Sequence, residues 1–134
     1  MRTQPTLAVV LWLSAMATVP ATAHAQAENL TKVYEMPNGE MTYLDLNSVQ
    51  VVGTSKRYWE VTKLPAPDQY RVVLRRTYME VDCNARMRAQ RAFVDYDAQG
   101  AVVASDSSLD RPVQWRPIVP GSNGELVRLI VCSR

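Results

Sequence analysis

Six arginines, Arg71, Arg75, Arg76, Arg86, Arg88 and Arg91, fall in the stretch Tyr70–Tyr96, with only Glu80 and Asp82 lying between Arg71 and Arg91. A guanidinium group is planar and permanently charged, and binds carboxylate, sulfate or phosphate through two parallel hydrogen bonds. The chemistry this spacing offers is therefore anion capture, with Arg75, Arg76, Arg86, Arg88 and Arg91 as the candidate binding residues. On an alternating strand Arg86 and Arg88 share a face with Gln90, beside Arg91. The same arginines would equally make a solvated sheet face paired with Glu80, Asp82 and Asp95, where each ion pair is worth little.

Catalytic chemistry finds few candidates. The one histidine is His24, and it falls in a segment expected to be removed. Without it no Ser-His-Asp or Cys-His pair and no histidine-ligated zinc site can form within one chain. Asp95 and Asp97 are two apart around Tyr96, but a glycosidase pair must flank a cleft. A surface Asp95 and a turn-initiating Asp97 are the simpler assignment. No catalytic residue, metal ligand or cofactor is assigned, and a non-enzymatic protein is expected.

Residues 1–25 have the pattern of a signal peptide. Arg2 supplies a positive start, Leu7–Leu13 (LAVVLWL) is a short apolar run, and Ala23-His24-Ala25 ends in small residues suited to cleavage before Gln26. A bilayer span needs about 20 apolar residues, so no transmembrane span is expected in the mature chain. The formal net charge of +2 falls by one when Arg2 is lost. An exported, nearly neutral chain is a poor nucleic-acid binder despite its arginines. What remains, residues 26–134, is the size of one domain.

Cys83 and Cys132 survive cleavage, and in an oxidising compartment they are expected to form one disulfide. The link would close a loop of about 50 residues and contribute roughly 4 kcal/mol through chain entropy.

The elements that must position these groups are strands and one terminal helix. Lys32–Met36 is a short strand ended by Pro37-Asn38-Gly39, and Met41–Asp45 is a second. Leu46–Val49 looks like a tight turn before Gln50–Val52. Arg57–Leu64 alternates, and Trp59 and Val61 are expected to face the core. A surface Trp59 would instead offer its ring to a sugar or base. Tyr70–Tyr96 forms a long hairpin folded near Asp82-Cys83-Asn84-Ala85. Its apolar parity changes between Leu74 and Met79, which predicts a bulge at Arg75-Arg76. Met87 is expected in the core on the return strand. Ala101–Ser105 closes a three-stranded meander after the turn Asp97–Gly100. Pro112, Pro117 and Pro120 bracket Trp115, expected as a lid over the core. Ser122-Asn123-Gly124-Glu125 has the form of a capping box for a helix over Asn123–Cys132. The fold class is therefore α+β, a small antiparallel sheet of about six strands with a C-terminal helix tethered by the disulfide.

The order YLDLNSV, a tryptophan strand, EVDC with an arginine-rich return strand, YDAQG with AVVAS, then WRPIVPGSNGE and a terminal VC resembles the surface-adhesin protein E family. The resemblance runs from about Tyr43 to Cys132. It implies the same small β-sheet domain with a disulfide-tethered helix. It also implies an exported bacterial adhesin that binds host proteins such as vitronectin, laminin and plasminogen, while the arginine face alone would suit an acidic protein or an anionic glycan. The protein that gives the family its name carries a lipid anchor, and here no cysteine lies near the cleavage site. That departure supports the alternative, a periplasmic envelope-associated or inhibitor protein with no host partner.

Overall fold

The computed structural model describes residues 28–134, so the leader expected at residues 1–25 lies outside the described residues. The chain runs β1 (Leu30–Glu35), β2 (Met41–Val52), β3 (Ser55–Lys63), β4 (Leu74–Asp82), β5 (Met87–Tyr96), β6 (Val102–Ser107), β7 (Arg116–Pro117) and α1 (Asn123–Cys132). Strands β1 to β6 form an antiparallel meander in sequence order, and β7 adds to the start of β5. Short turns make this order the direct one. Gly39, at φ +86°, closes the first turn, its amide donating to Met36 O at 2.9 Å. At the central hairpin Asp82 Oδ1 accepts from the amides of Asn84 (3.0 Å) and Ala85 (2.8 Å), and Arg86 completes the reversal at φ +56°.

Helix α1 covers one face of the sheet. Leu44, Tyr58, Met79 and Val81 pack there with Ile118, Val127 and Val131. Register fixes this parity: Tyr58 stands opposite Met79 and Lys56 opposite Val81. The face under the helix is therefore that of Tyr58, 1% exposed, and not that of Trp59 as the alternation in β3 alone suggested. Both parities of β3 hold an aromatic ring and apolar groups, and only the cross-strand neighbours decide between them. Trp59 is half-buried on the opposite face beside Tyr78, and Val61, 2% exposed, is buried there between Tyr43 and Arg76.

Three further expectations change. Residues 41–52 are one strand with a register shift between Asp45 and Gln50, where a turn was expected. Between β4 and β5 the shift lies at Tyr78/Met79, leaving Arg91 as the extra residue, and β3–β4 runs without a shift through Arg75-Arg76. The parity change in the sequence has another cause. Tyr70 and Val72 precede the strand in a turn where Asp68 Oδ1 accepts both their amides, and Arg71 takes φ +69°. Trp115 is 36% exposed and does not cover the core. The prolines hold its segment extended along the lower edge of β5, and Ile118, whose amide donates to Arg86 O at 2.9 Å, fills the buried position instead. Met87, opposite Asp82 and Pro117, is half-buried and outside the main cluster.

Cys83, at the end of β4, is bonded to Cys132 at the end of α1, with S–S 2.02 Å and Cα–Cα 5.9 Å. Ser122 Oγ accepts the Glu125 amide at 3.3 Å, but the box is half-made, because the Ser122 amide donates to Val119 O and the Glu125 carboxylate turns to Arg128 and Arg86. The helix has no basic residue in its last turn. Lys56 Nζ supplies that charge from β3, reaching Val131 O (3.4 Å), Cys132 O (3.3 Å) and Arg134 O. No helix of the described residues is long and apolar enough to cross a membrane.

Candidate binding cleft beside the helix

The arginines of the central hairpin do not form one patch. Arg75 Nε and Nη2 donate to Asp95 Oδ1 and Oδ2 at 2.7 Å each, a fork-on-fork pair that commits both groups. Asp95 is 3% exposed and serves as that counter-ion. Arg76 lies on the opposite face, paired with Glu28. Arg86, at the hairpin tip, pairs with Glu125, whose carboxyl is held below its ordinary range chiefly by Arg128 and then by Arg86. Arg91, expected among the binding residues, is 3% exposed. As the bulge residue its side chain turns inward, where Nη2 donates to Ser108 O (3.1 Å) and Leu109 O (3.2 Å) and Nη1 lies 3.7 Å from Glu80.

Arg88 is placed differently. It stands on the helix-bearing face, where a Cβ added to Gly124 would come within 3.2 Å of its guanidinium. Its register partner across the β5–β7 ladder is another arginine, Arg116. Among the described residues neither is within ion-pair distance of a carboxylate. Like charges directly opposite on neighbouring strands repel, so an anion bound at this position of the ladder would be favoured by both.

Both arginines line a cleft of about 500 Å³ that continues the sheet face beyond the helix. Ten helical residues span about 15 Å, whereas the nine of β3 or β4 span about 30 Å, so the helix cannot cover the whole face. Tyr34, Glu40, Glu60, Arg75, Thr77 and Gln90 line the same cleft. Glu60 Oε2 is buried and makes no hydrogen bond. Burial pushes the Glu60 carboxyl above its ordinary range, and the nearby positive charge of Arg88 only partly opposes this. Below its shifted pKa, Glu60 is an uncharged donor and acceptor on the cleft floor.

This shift has a stability consequence. A carboxyl whose pKa is raised on folding stabilises the fold fully below its unfolded pKa, and that contribution is lost as pH rises through the folded value. Glu60→Gln keeps the neutral shape at every pH. The variant should match the wild type near pH 4 and exceed it near pH 8 in urea denaturation. A difference independent of pH would show that Glu60 does not ionise at a cost in the folded protein.

Sequence reasoning singled out Arg88 but missed Arg116 and Glu60. The signal for Arg116 lay beside Trp115, in a stretch read for its prolines and its ring. Glu60 alternates with Trp59 and Val61 in β3, so an expectation that those two face the core gives no signal for a buried Glu60 carboxylate oxygen. Among the described residues no group of three His, Cys, Asp or Glu is placed to hold a metal ion.

Comparison with known proteins gives a consistent family assignment. The family model for surface-adhesin protein E matches residues 30–133. A solved structure of Haemophilus influenzae protein E matches at TM-score 0.53 and 17% identity, covering 78% of this chain and 83% of that one. A second crystal form of the same protein matches at TM-score 0.51 and 18% identity, covering 69% and 80%. No curated protein matches the chain.

Proposed function

This chain belongs to the surface-adhesin protein E family, and from that premise we propose that it is an exported, non-enzymatic binding module that captures an acidic segment of a partner protein in the cleft beside its helix. The observation that carries the reading is the Arg88–Arg116 pair, register partners that line one cleft and that form no ion pair with a carboxylate among the described residues. A glutamate or aspartate side chain entering the cleft meets both guanidinium groups, while Glu60 and Gln90 offer hydrogen bonds to the neighbouring backbone. Arg75, Arg76, Arg86 and Arg91 already have carboxylate partners and serve the fold. A disulfide, a rigid sheet and a preformed cleft suit recognition, because little conformational freedom remains to be lost on binding.

The test is capture of acidic host extracellular-matrix or serum proteins by the purified protein. Arg88→Glu combined with Arg116→Glu should weaken capture at least about tenfold, since a charge pair and its hydrogen bonds are replaced by repulsion. Arg86→Glu should change it little. Equal capture by the double variant and the wild type would refute the assignment of this cleft.

A further inference from the structure

The sheet face away from the helix holds a second hollow, of about 260 Å³, lined by none of the cleft residues. Its floor is Trp59 and Tyr78, register partners in β3 and β4, with ring centroids 4.9 Å apart at 33°. One wall is the irregular stretch of β2. There Leu46, Asn47, Ser48 and Val49 have no register partner in β3. Leu46 and Val49 pack toward the core, and Asn47, Ser48 and Gln50 line the hollow. The wall is braced from within. Asp45 Oδ1 accepts from the amides of Asn29 and Asn47 at 3.2 Å, and Ser48 Oγ donates to Asp45 O at 2.6 Å while accepting from the Trp59 amide at 2.8 Å. Facing it is Arg76, its guanidinium 5.7 Å from the Trp59 ring centroid and paired with Glu28.

Three features define what would fit. The charges are matched, Arg76 by Glu28 and Asp45 by backbone amides, so the hollow does not select an ion. Among the described residues the indole N–H of Trp59 and the hydroxyl of Tyr78 make no hydrogen bond, which leaves polar tips at the edge of an apolar floor. The electron-rich ring faces attract polarised C–H groups. A ligand with one C–H face and a rim of hydroxyls satisfies floor and rim together. The volume is below the roughly 300–1,000 Å³ of drug-sized sites, which sets the limit at about one ring. We infer that this hollow is a saccharide subsite that stacks one neutral hexopyranose on Trp59 and Tyr78, with Gln50 and Arg76 binding its hydroxyls.

The experiment follows the indole N–H resonances of the ¹⁵N-labelled protein during titration with methyl β-galactopyranoside and methyl β-glucopyranoside. The Trp59 signal should shift saturably with at least one of them, with a Kd on the order of 1 mM, and the Trp115 signal should not. Gln50→Ala, at an exposed position that leaves the fold intact, should weaken binding about fivefold, the effect of one lost hydrogen bond. Trp59→Ala, which removes the reporter resonance, should abolish binding as read by retention on a galactose-terminated carrier. A second arm measures retention on a galactose-terminated glycoprotein and on vesicles carrying galactosylceramide. Retention on either that free methyl galactoside displaces supports the subsite and identifies the carrier, whereas retention on both that free sugar leaves untouched counts against it. No saturable shift at Trp59 with either sugar overturns the inference. Arg88→Glu with Arg116→Glu should leave these shifts unchanged, so the two sites stand or fall separately.

Discussion

Cys132→Ser is expected to lower the melting temperature by about 15 °C or more. The bridge joins residues 49 apart in sequence, and removing it returns roughly 4 kcal/mol of chain entropy to the unfolded state. For a domain near 100 residues each kcal/mol shifts Tm by about 4–8 °C. The loss falls on the element least able to bear it. Ten residues are fewer than the roughly 12–15 an isolated helix needs, so α1 depends on Val127 and Val131 beneath it and on the bridge at its last residue. Release of the helix exposes Leu44, Tyr58 and Val81 and frees Arg88 from Gly124. Helical circular dichroism should therefore fall before the sheet melts, and capture through the cleft should fall with it. Thermal melts of the variant, and of the wild type with and without reductant, provide the measurement. An unchanged Tm in both would mean that the bridge contributes nothing to the fold.

The first turn, the central hairpin and the helix were legible because each has a local cause. Proline and glycine set the first turn, Asp82 caps the central one, and Ser122 starts the helix. What the sequence could not show is which face of a strand looks inward when both faces carry apolar residues. In β3 that choice rests on Met79 and Val81, which lie across the ladder and far along the chain. The same limit explains the arginines. Their crowding between Arg71 and Arg91 suggested one surface, but Arg91 is carried inward by a bulge that no single residue announces, and Arg116 is brought beside Arg88 by a two-residue strand with two prolines nearby. Asp95 is among the carboxylates expected to pair with the arginine cluster, but its burial against Arg75 replaces the surface position expected for it. Carboxylate pairing was not legible for Arg86, whose partner Glu125 is 39 residues away.

Glu80→Ala should destabilise the protein by about 3–5 kcal/mol, the range for leaving one half of a buried ion pair without the other. Glu80 is 5% exposed. Its Oε1 accepts from Ser55 Oγ at 2.6 Å, and its Oε2 accepts from Arg57 Nε at 3.0 Å and lies 3.7 Å from Arg91 Nη1. Arg91 Nε and Nη1 are buried and already lack hydrogen-bond partners. Without the carboxylate, Arg91 keeps two carbonyl acceptors and no counter-charge, in a site that water does not reach. In an Arg91→Met background the same substitution should cost much less, because the stranded charge is gone and only the bonds to Ser55 and Arg57 are lost. Urea denaturation of the two single variants and the double variant gives the coupling. A cost below about 1 kcal/mol for Glu80→Ala would place Arg91 in water and return it to the candidate binding residues. The expected large coupling instead makes Arg91 a strut, holding the Ser108–Leu109 segment against β5 and leaving anion capture to Arg88 and Arg116.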